Sequence, residues 1–239
     1  MKRIILFALL LLYVATGTFA QEIQLPYPST TALSYEKNKI YYEGERISKR
    51  ETLVDLFEAS VKKYPNNTFL LEKTGKKFEP TTYMQVKEQV YRLGAGLQAL
   101  GVKKGDTMAL LSEGRNMWVI GELAMFYAGA VNVPLSIKLE ESNDLLFRLI
   151  HGDVKYVMVS GTQLKKVRAI KEKLQMVEKI IIFDKQEEYQ EKEISLDDVL
   201  KMGEEFLKTH TEEEFLQVAR SIQNDDYATI TYTSGTTAD

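Results

Sequence analysis

Residues 227–239, YATITYTSGTTAD, gather the side chains of this sequence best suited to chemistry. Hydroxyls on Thr233, Ser234, Thr236 and Thr237 surround Gly235, and the run before them is β-branched and aromatic, as a strand would be. A loop after a buried parallel strand emerges at the strand's carboxyl end, where open α/β sheets bind ligands. Gly235 lets the backbone turn tightly and approach a ligand. The hydroxyls and neighbouring N–H groups can then donate several hydrogen bonds to one oxyanion, with phosphate the natural guest. The same composition also makes an ordinary Ser/Thr/Gly turn that binds nothing. The Walker A pattern G-x-x-x-x-G-K-[ST] is absent, which disfavours an ordinary P-loop NTPase.

Other chemistries are sparse. With no cysteine, disulfides, thiolate nucleophiles and Cys-ligated metals are excluded, and the two histidines, His151 and His210, lack metal-ligand spacing and read as surface residues. Thirty-one basic and 34 acidic residues give a net charge of −3 without a long block of one sign, so no nucleic-acid footprint is present. At 239 residues, 44% hydrophobic and 27% charged, the chain has the composition of a globular protein with one large or two small units.

The loop needs a scaffold, and the upstream pattern supplies one. Leu53, Leu56, Phe57, Ser60 and Val61 share a helical stripe ended by Pro65-Asn66-Asn67. Two short strands meet in a hairpin around Thr74-Gly75. Thr82 is placed to cap a helix whose Val86, Val90, Leu93, Leu97 and Leu100 recur at three- and four-residue spacing up to a C-cap at Gly101. Then come a strand over 107–112, an internal helix apolar nearly all round (NMWVIGELAMFYAGA), a strand over 131–135 and a helix capped by Ser142. A strand over 154–160, a charged helix from Gln163 to Gln175 and a strand over 179–184 follow. The charged stretch 185–224 holds two short helical patterns, Leu196 to Met202 and Glu212 to Arg220, and a last strand covers 227–233. Strands separated by helices predict an α/β fold: a mainly parallel, doubly wound sheet with helices on both faces.

Against this background, DDYATITYTSGTTAD closely resembles the phosphate-loop signature of the adenylate-forming, or AMP-binding, enzymes: acyl-CoA ligases, firefly luciferase and peptide-synthetase adenylation domains. The family pattern is Y-T-S-G-T-T-G-x-P-K-G; Tyr232 through Thr237 match it, and Ala238 stands where glycine is usual. Upstream, Thr82-Tyr83, Gly101-Val102, Gly105-Asp106 and Ala128-Gly129-Ala130 through Pro134-Leu135 are similar to further family motifs, in the right order over residues 51–239, with roles that read as structural. SEGRNMW departs from the usual S-E-N-R-P-x-W at Gly114 and Asn116.

The resemblance implies the N-terminal part of an adenylate-forming large domain over 51–239. The implied activity is that of a fatty acid-CoA ligase of the long-chain branch, using ATP, Mg²⁺ and coenzyme A. Thr233, Ser234, Gly235, Thr236 and Thr237 would then hold the ATP phosphates. In the family the catalytic and metal-binding residues follow this loop, so the chain is expected to be inactive alone, and to be poorly soluble because a sheet edge and apolar helix faces lie open.

Residues 21–50, rich in Pro, Ser, Tyr and charge, read as an extended arm with a short hairpin near Tyr41-Glu43-Gly44. Residues 1–20 have the layout of an export signal: Lys2 and Arg3, an apolar core from Ile4 to Val14, then small residues at Thr18 and Ala20. Extension of the apolar run to Phe19 also suits a membrane anchor. An export signal conflicts with the intracellular supply of ATP and coenzyme A. It leaves a second reading, an exported non-catalytic module, beside that of a cytoplasmic or membrane-associated ligase.

Overall fold

The computed structural model describes residues 41–42, 45–46, 52–139 and 144–233. Strands β1 (Tyr41–Tyr42) and β2 (Glu45–Arg46) form the expected small antiparallel hairpin, in a unit of their own. The second unit starts with α1 (Leu53–Lys63), where Thr52 Oγ1 accepts from Asp55 N and Asp55 caps Thr52 N in return. Its buried face is Val54, Phe57 and Val61, whereas Leu53 is 47% exposed. The stripe is therefore rotated from the one expected, because the helix is seated by Phe57, whose ring meets Tyr127 edge-on at 6.4 Å.

Strands β3 (Thr68–Thr74) and β4 (Lys77–Thr82) form the hairpin turned at Gly75, φ +63°. The next helix, α2 (Tyr83–Leu100), has both expected caps: Thr82 in a capping box with Gln85, and Gly101 left-handed at φ +104°.

The centre is a five-stranded sheet of β5 (Thr107–Leu111), β6 (Val131–Pro134), β7 (Val154–Val159), β8 (Lys179–Ile182) and β9 (Glu193–Ser195). The order is β6-β5-β7-β8-β9 and every pair is parallel. Helices α3 (Asn116–Tyr127), α4 (Leu146–His151) and α5 (Gly161–Ile170) connect the strands, and α6 (Leu196–Thr209) and α7 (Glu212–Arg220) follow β9. Alternate residues divide the core in two. Met108, Leu110, Tyr156, Met158 and Ile181 face α1, α2, α3, α6 and α7, while Ala109, Leu111, Val157, Val159 and Ile182 face α4 and α5. Helices on both faces make the fold the doubly wound one expected. Ser142 lies outside the described residues. The helix expected over Gln163–Gln175 begins two residues earlier and gives way after Ile170 to a 3-10 turn, Lys171–Lys173.

Two packing arrangements lock the helices together. Glu58 accepts hydrogen bonds from Tyr91 Oη (2.8 Å), Lys87 Nζ (2.8 Å) and Tyr127 Oη, so one carboxylate ties α1 to α2 and α3. Burial first, then Glu58, pushes both tyrosine pKa values up, which keeps the hydroxyls as donors. The second arrangement is the crossing of α6 over α2. The pattern read from the sequence stopped at Met202, but the helix runs seven residues further, through Gly203. A methyl group at Gly203 would collide with the Arg92 carbonyl, and one at Gly96 with that of Val199. Gly203→Ala is therefore expected to destabilise the fold by about 2–3 kcal/mol, read as a drop of several degrees in Tm by circular dichroism. Gly114→Ala, where a Cβ meets nothing within 4 Å, is expected to leave Tm within about a degree.

Candidate functional site at the carboxyl rim of the sheet

After α7 the chain returns to the amino end of the sheet and runs along the free edge of β6. Asn132 N donates to Ala228 O at 2.9 Å, and Ile230 N donates to Asn132 O at 2.8 Å, a parallel bridge between Asn132 and Thr229. The strand expected over 227–233 is reduced to this bridge. The next parallel rung would need an N–H from residue 134, which is proline and has none. Thr229, Thr231 and Thr233 are exposed, while Ala228, Ile230 and Tyr232 are half-buried, so the tail keeps strand-like alternation. The polarity of the bridge points the tail toward the rim formed by the carboxyl ends of the other strands. Of the expected phosphate-binding residues, Thr233 is exposed, and Ser234, Gly235, Thr236 and Thr237 lie outside the described residues.

A family model described as AMP-binding enzyme matches residues 57–239. The chain belongs to that family. It is 28% identical over 198 residues to long chain acyl-CoA synthetase 5 of Arabidopsis thaliana and 29% identical over 199 residues to long chain acyl-CoA synthetase 4 of the same plant. Each alignment covers 77% of this chain and 28% of the relative. The chain thus spans less than a third of the length of these relatives. In structure it resembles a long-chain-fatty-acid-CoA ligase from Archaeoglobus fulgidus, with a TM-score of 0.62 at 20% identity over 82% of this chain and 36% of that one. That likeness is one of fold.

In this AMP-binding chain the strand order reverses between β5 and β7, and ligands of doubly wound sheets bind beside that point. Glu113 follows β5 and accepts from Gln163 Nε2 at 2.5 Å. Burial works most strongly on it and against its charge, yet the hydrogen bonds from Gln163, Ser160 and its own backbone together outweigh it and hold its pKa below the usual range. Asp184, after β8, accepts from Gly161 N at 2.7 Å and from Arg115 Nη1 at 2.9 and 3.1 Å. The amino terminus of α5, the natural anion site on this rim, is thereby closed by the protein's own carboxylate.

Of the other family motifs, Gly101-Val102, Gly105-Asp106 and Ala128-Gly129-Ala130 stand at the opposite end, where strands β5 and β6 begin, and Pro134-Leu135 close β6; their roles are structural, as expected. Gly105 (φ +87°) donates its N–H to Gly129 O, and Asp106 holds Lys103 N and Lys155 Nζ at 2.9 and 2.6 Å. Gly129 (φ +76°) has Val218 and Lys104 where a side chain would go. An apolar cavity of about 300 Å³ is also at that amino end, lined by Leu53, Phe126, Val131 and Ile222. Its cation, Lys104, is engaged with Asp226 and Ser221 O. In the departing SEGRNMW motif, Gly114 is exposed and Asn116 Nδ2 donates to Thr81 Oγ1.

Both histidines are exposed, as expected, but His151 has a function in the fold: its Nδ1 lies 2.8 Å from Tyr232 Oη. Sequence reading missed this pair and the Arg115–Asp184–Gly161 group. An acid just past the strand residues IIIF was the one local sign of the latter.

Asp184 supplies a pH test. Burial raises its pKa, but Gly161 N–H and Arg115 more than compensate, so the folded value lies below the ordinary one. Its contribution to stability is accordingly present above about pH 4 and lost as pH falls through the folded value. With the side chain 40% exposed, solvent screening limits the effect to about 1 kcal/mol. Asp184→Asn is expected to lower stability by that amount at pH 7, in urea titrations, with the difference closing below about pH 4.

Proposed function

We propose that the chain is the N-terminal part of an ATP-dependent acyl-CoA ligase acting on long-chain fatty acids, with residues Thr233–Thr237 holding the β- and γ-phosphates of ATP. The observation that supports it most is the parallel bridge at Asn132, which points the chain toward the carboxyl rim shortly before the Ser/Thr/Gly run of the sequence, in a chain of the AMP-binding family. The names of the Arabidopsis relatives support a long-chain acid.

In this reaction the acid's carboxylate attacks the α-phosphorus of ATP, the bond to the β-phosphate breaks, and pyrophosphate leaves an acyl-adenylate. The thiolate of coenzyme A then attacks the acyl carbon, releasing AMP and forming the thioester. The tail's part is to hold the leaving phosphates in line and to stabilise their charge with hydroxyl and N–H donors. Mg²⁺ accompanies ATP in this reading; among the described residues no cluster of three His, Asp or Glu forms a site for it.

The test is expression of the complete open reading frame that carries these residues, followed by acid-dependent exchange of labelled pyrophosphate into ATP. Exchange supported by long-chain fatty acids, and not by acetate or amino acids, is the expected result; its absence with every acid sinks the proposal. Ser234→Ala and Thr236→Ala are each expected to raise KM for ATP by about tenfold or more, the size of one hydrogen bond to a charged phosphate.

A further inference from the structure

We propose that Tyr232 is the anchor that seats the phosphate loop, held on α4 by His151 and Arg148, and that these are positioning residues for ATP. The inference rests on the preceding reading that residues 233–237 hold phosphate groups.

The need for an anchor follows from the missing rung. Ile230 makes the tail's last backbone bond to the sheet among the described residues, because Pro134 cannot offer the next one. The two residues after it have no ladder to fix them, and the side chain of Tyr232 takes over. Its hydroxyl lies 2.8 Å from His151 Nδ1 and 3.4 Å from Arg148 O. The Arg148 guanidinium carbon stands 5.5 Å from the ring centroid, within cation–π range. Phe147 meets the ring edge-on at 6.3 Å and stacks on His151 at 5.1 Å.

The base of this clamp is firm. Leu149 is fully buried in the second core, and Tyr232 packs against that same core. Burial raises the pKa of the tyrosine against a smaller opposing effect of Arg148, so the hydroxyl stays protonated and available to hydrogen bond. Ser234 follows two residues later in the sequence, a separation of at most about 7 Å along the chain.

The clamp also separates positioning from stability. The Tyr232 ring and Ile230 cover apolar surface whether or not the hydroxyl is present, while the bond from His151 to Tyr232 is exposed. Loss of that bond should therefore move the loop without unfolding the chain.

The experiment uses the complete reading frame in steady-state kinetics. Tyr232→Phe and His151→Ala are expected to raise KM for ATP about three- to tenfold, the size of one neutral hydrogen bond. The kcat and the KM for the acid should stay within about twofold. His151→Asn is expected to restore KM, because its amide can flip to donate or accept in place of either imidazole tautomer. Equal losses in all parameters together with a lowered Tm, or an unchanged KM for ATP in active variants, overturn the proposal.

A separate readout does not depend on ATP. In the complete reading frame, the imidazole ¹⁵N signals lost in His151→Ala are those of His151, and Tyr232→Phe must shift them. Shifted signals in a protein with no ATP-dependent activity show the contact but overturn the ligase reading and, with it, the anchor's role. Unshifted signals overturn the anchor while leaving the ligase reading intact.

Discussion

The two hydrogen bonds made by the backbone of Asn132 fix the direction in which the tail leaves the molecule. A tail paired antiparallel to β6 would end at the amino rim, among the glycine turns. Paired parallel, it heads toward the carboxyl rim, but only if the chain has first been carried back from β9, at the far edge of the sheet. Residues 196–226 do that carrying. α6 crosses α2 at a distance only Gly96 and Gly203 allow, and α7 lays Phe215 parallel to Tyr127 at 6.0 Å. Gln98 then donates to the carbonyls of both Tyr127 and Phe215, and Lys104 holds Ser221 O and Asp226 where the chain turns into the tail. The charged stretch is thus the crossover that makes a parallel tail sterically available.

Much of this fold is local enough to be legible in the sequence. The caps at Thr82 and Gly101 depend on residues within one turn of each other, and the buried strands show as short runs of Val, Ile, Leu and Met. What escaped depends on partners far away in the sequence. The stripe on α1 is rotated because Phe57 must meet Tyr127, and α6 outlasts Gly203 because that glycine faces a carbonyl of α2. β9 is three residues long and too short to show a pattern. The tail has every mark of a strand, and the residue that denies it a ladder is a proline on the neighbouring β6. At the site, the composition of the loop showed in the sequence, whereas its seat did not. Tyr232 and His151 are brought together by a sheet and a helix whose packing no local spacing encodes.

The two rims of the sheet divide the labour by the kind of backbone they contain. The amino rim is built of left-handed glycines and an Asp106–Lys155 pair, features that let strands start close together. The carboxyl rim carries the unsatisfied ends of helices, and here the protein spends one on itself, with Asp184 on Gly161 N. A helix terminus left open would favour any anion that reached the rim. Closing it with a carboxylate removes that unselective attraction and sets negative charge beside the reversal point between β5 and β7. Under the proposed reading, in which pyrophosphate leaves at each turnover, the tail's donors would stabilise charge as it builds on the leaving phosphates, without the deep ground-state binding that a second anion site close by would add.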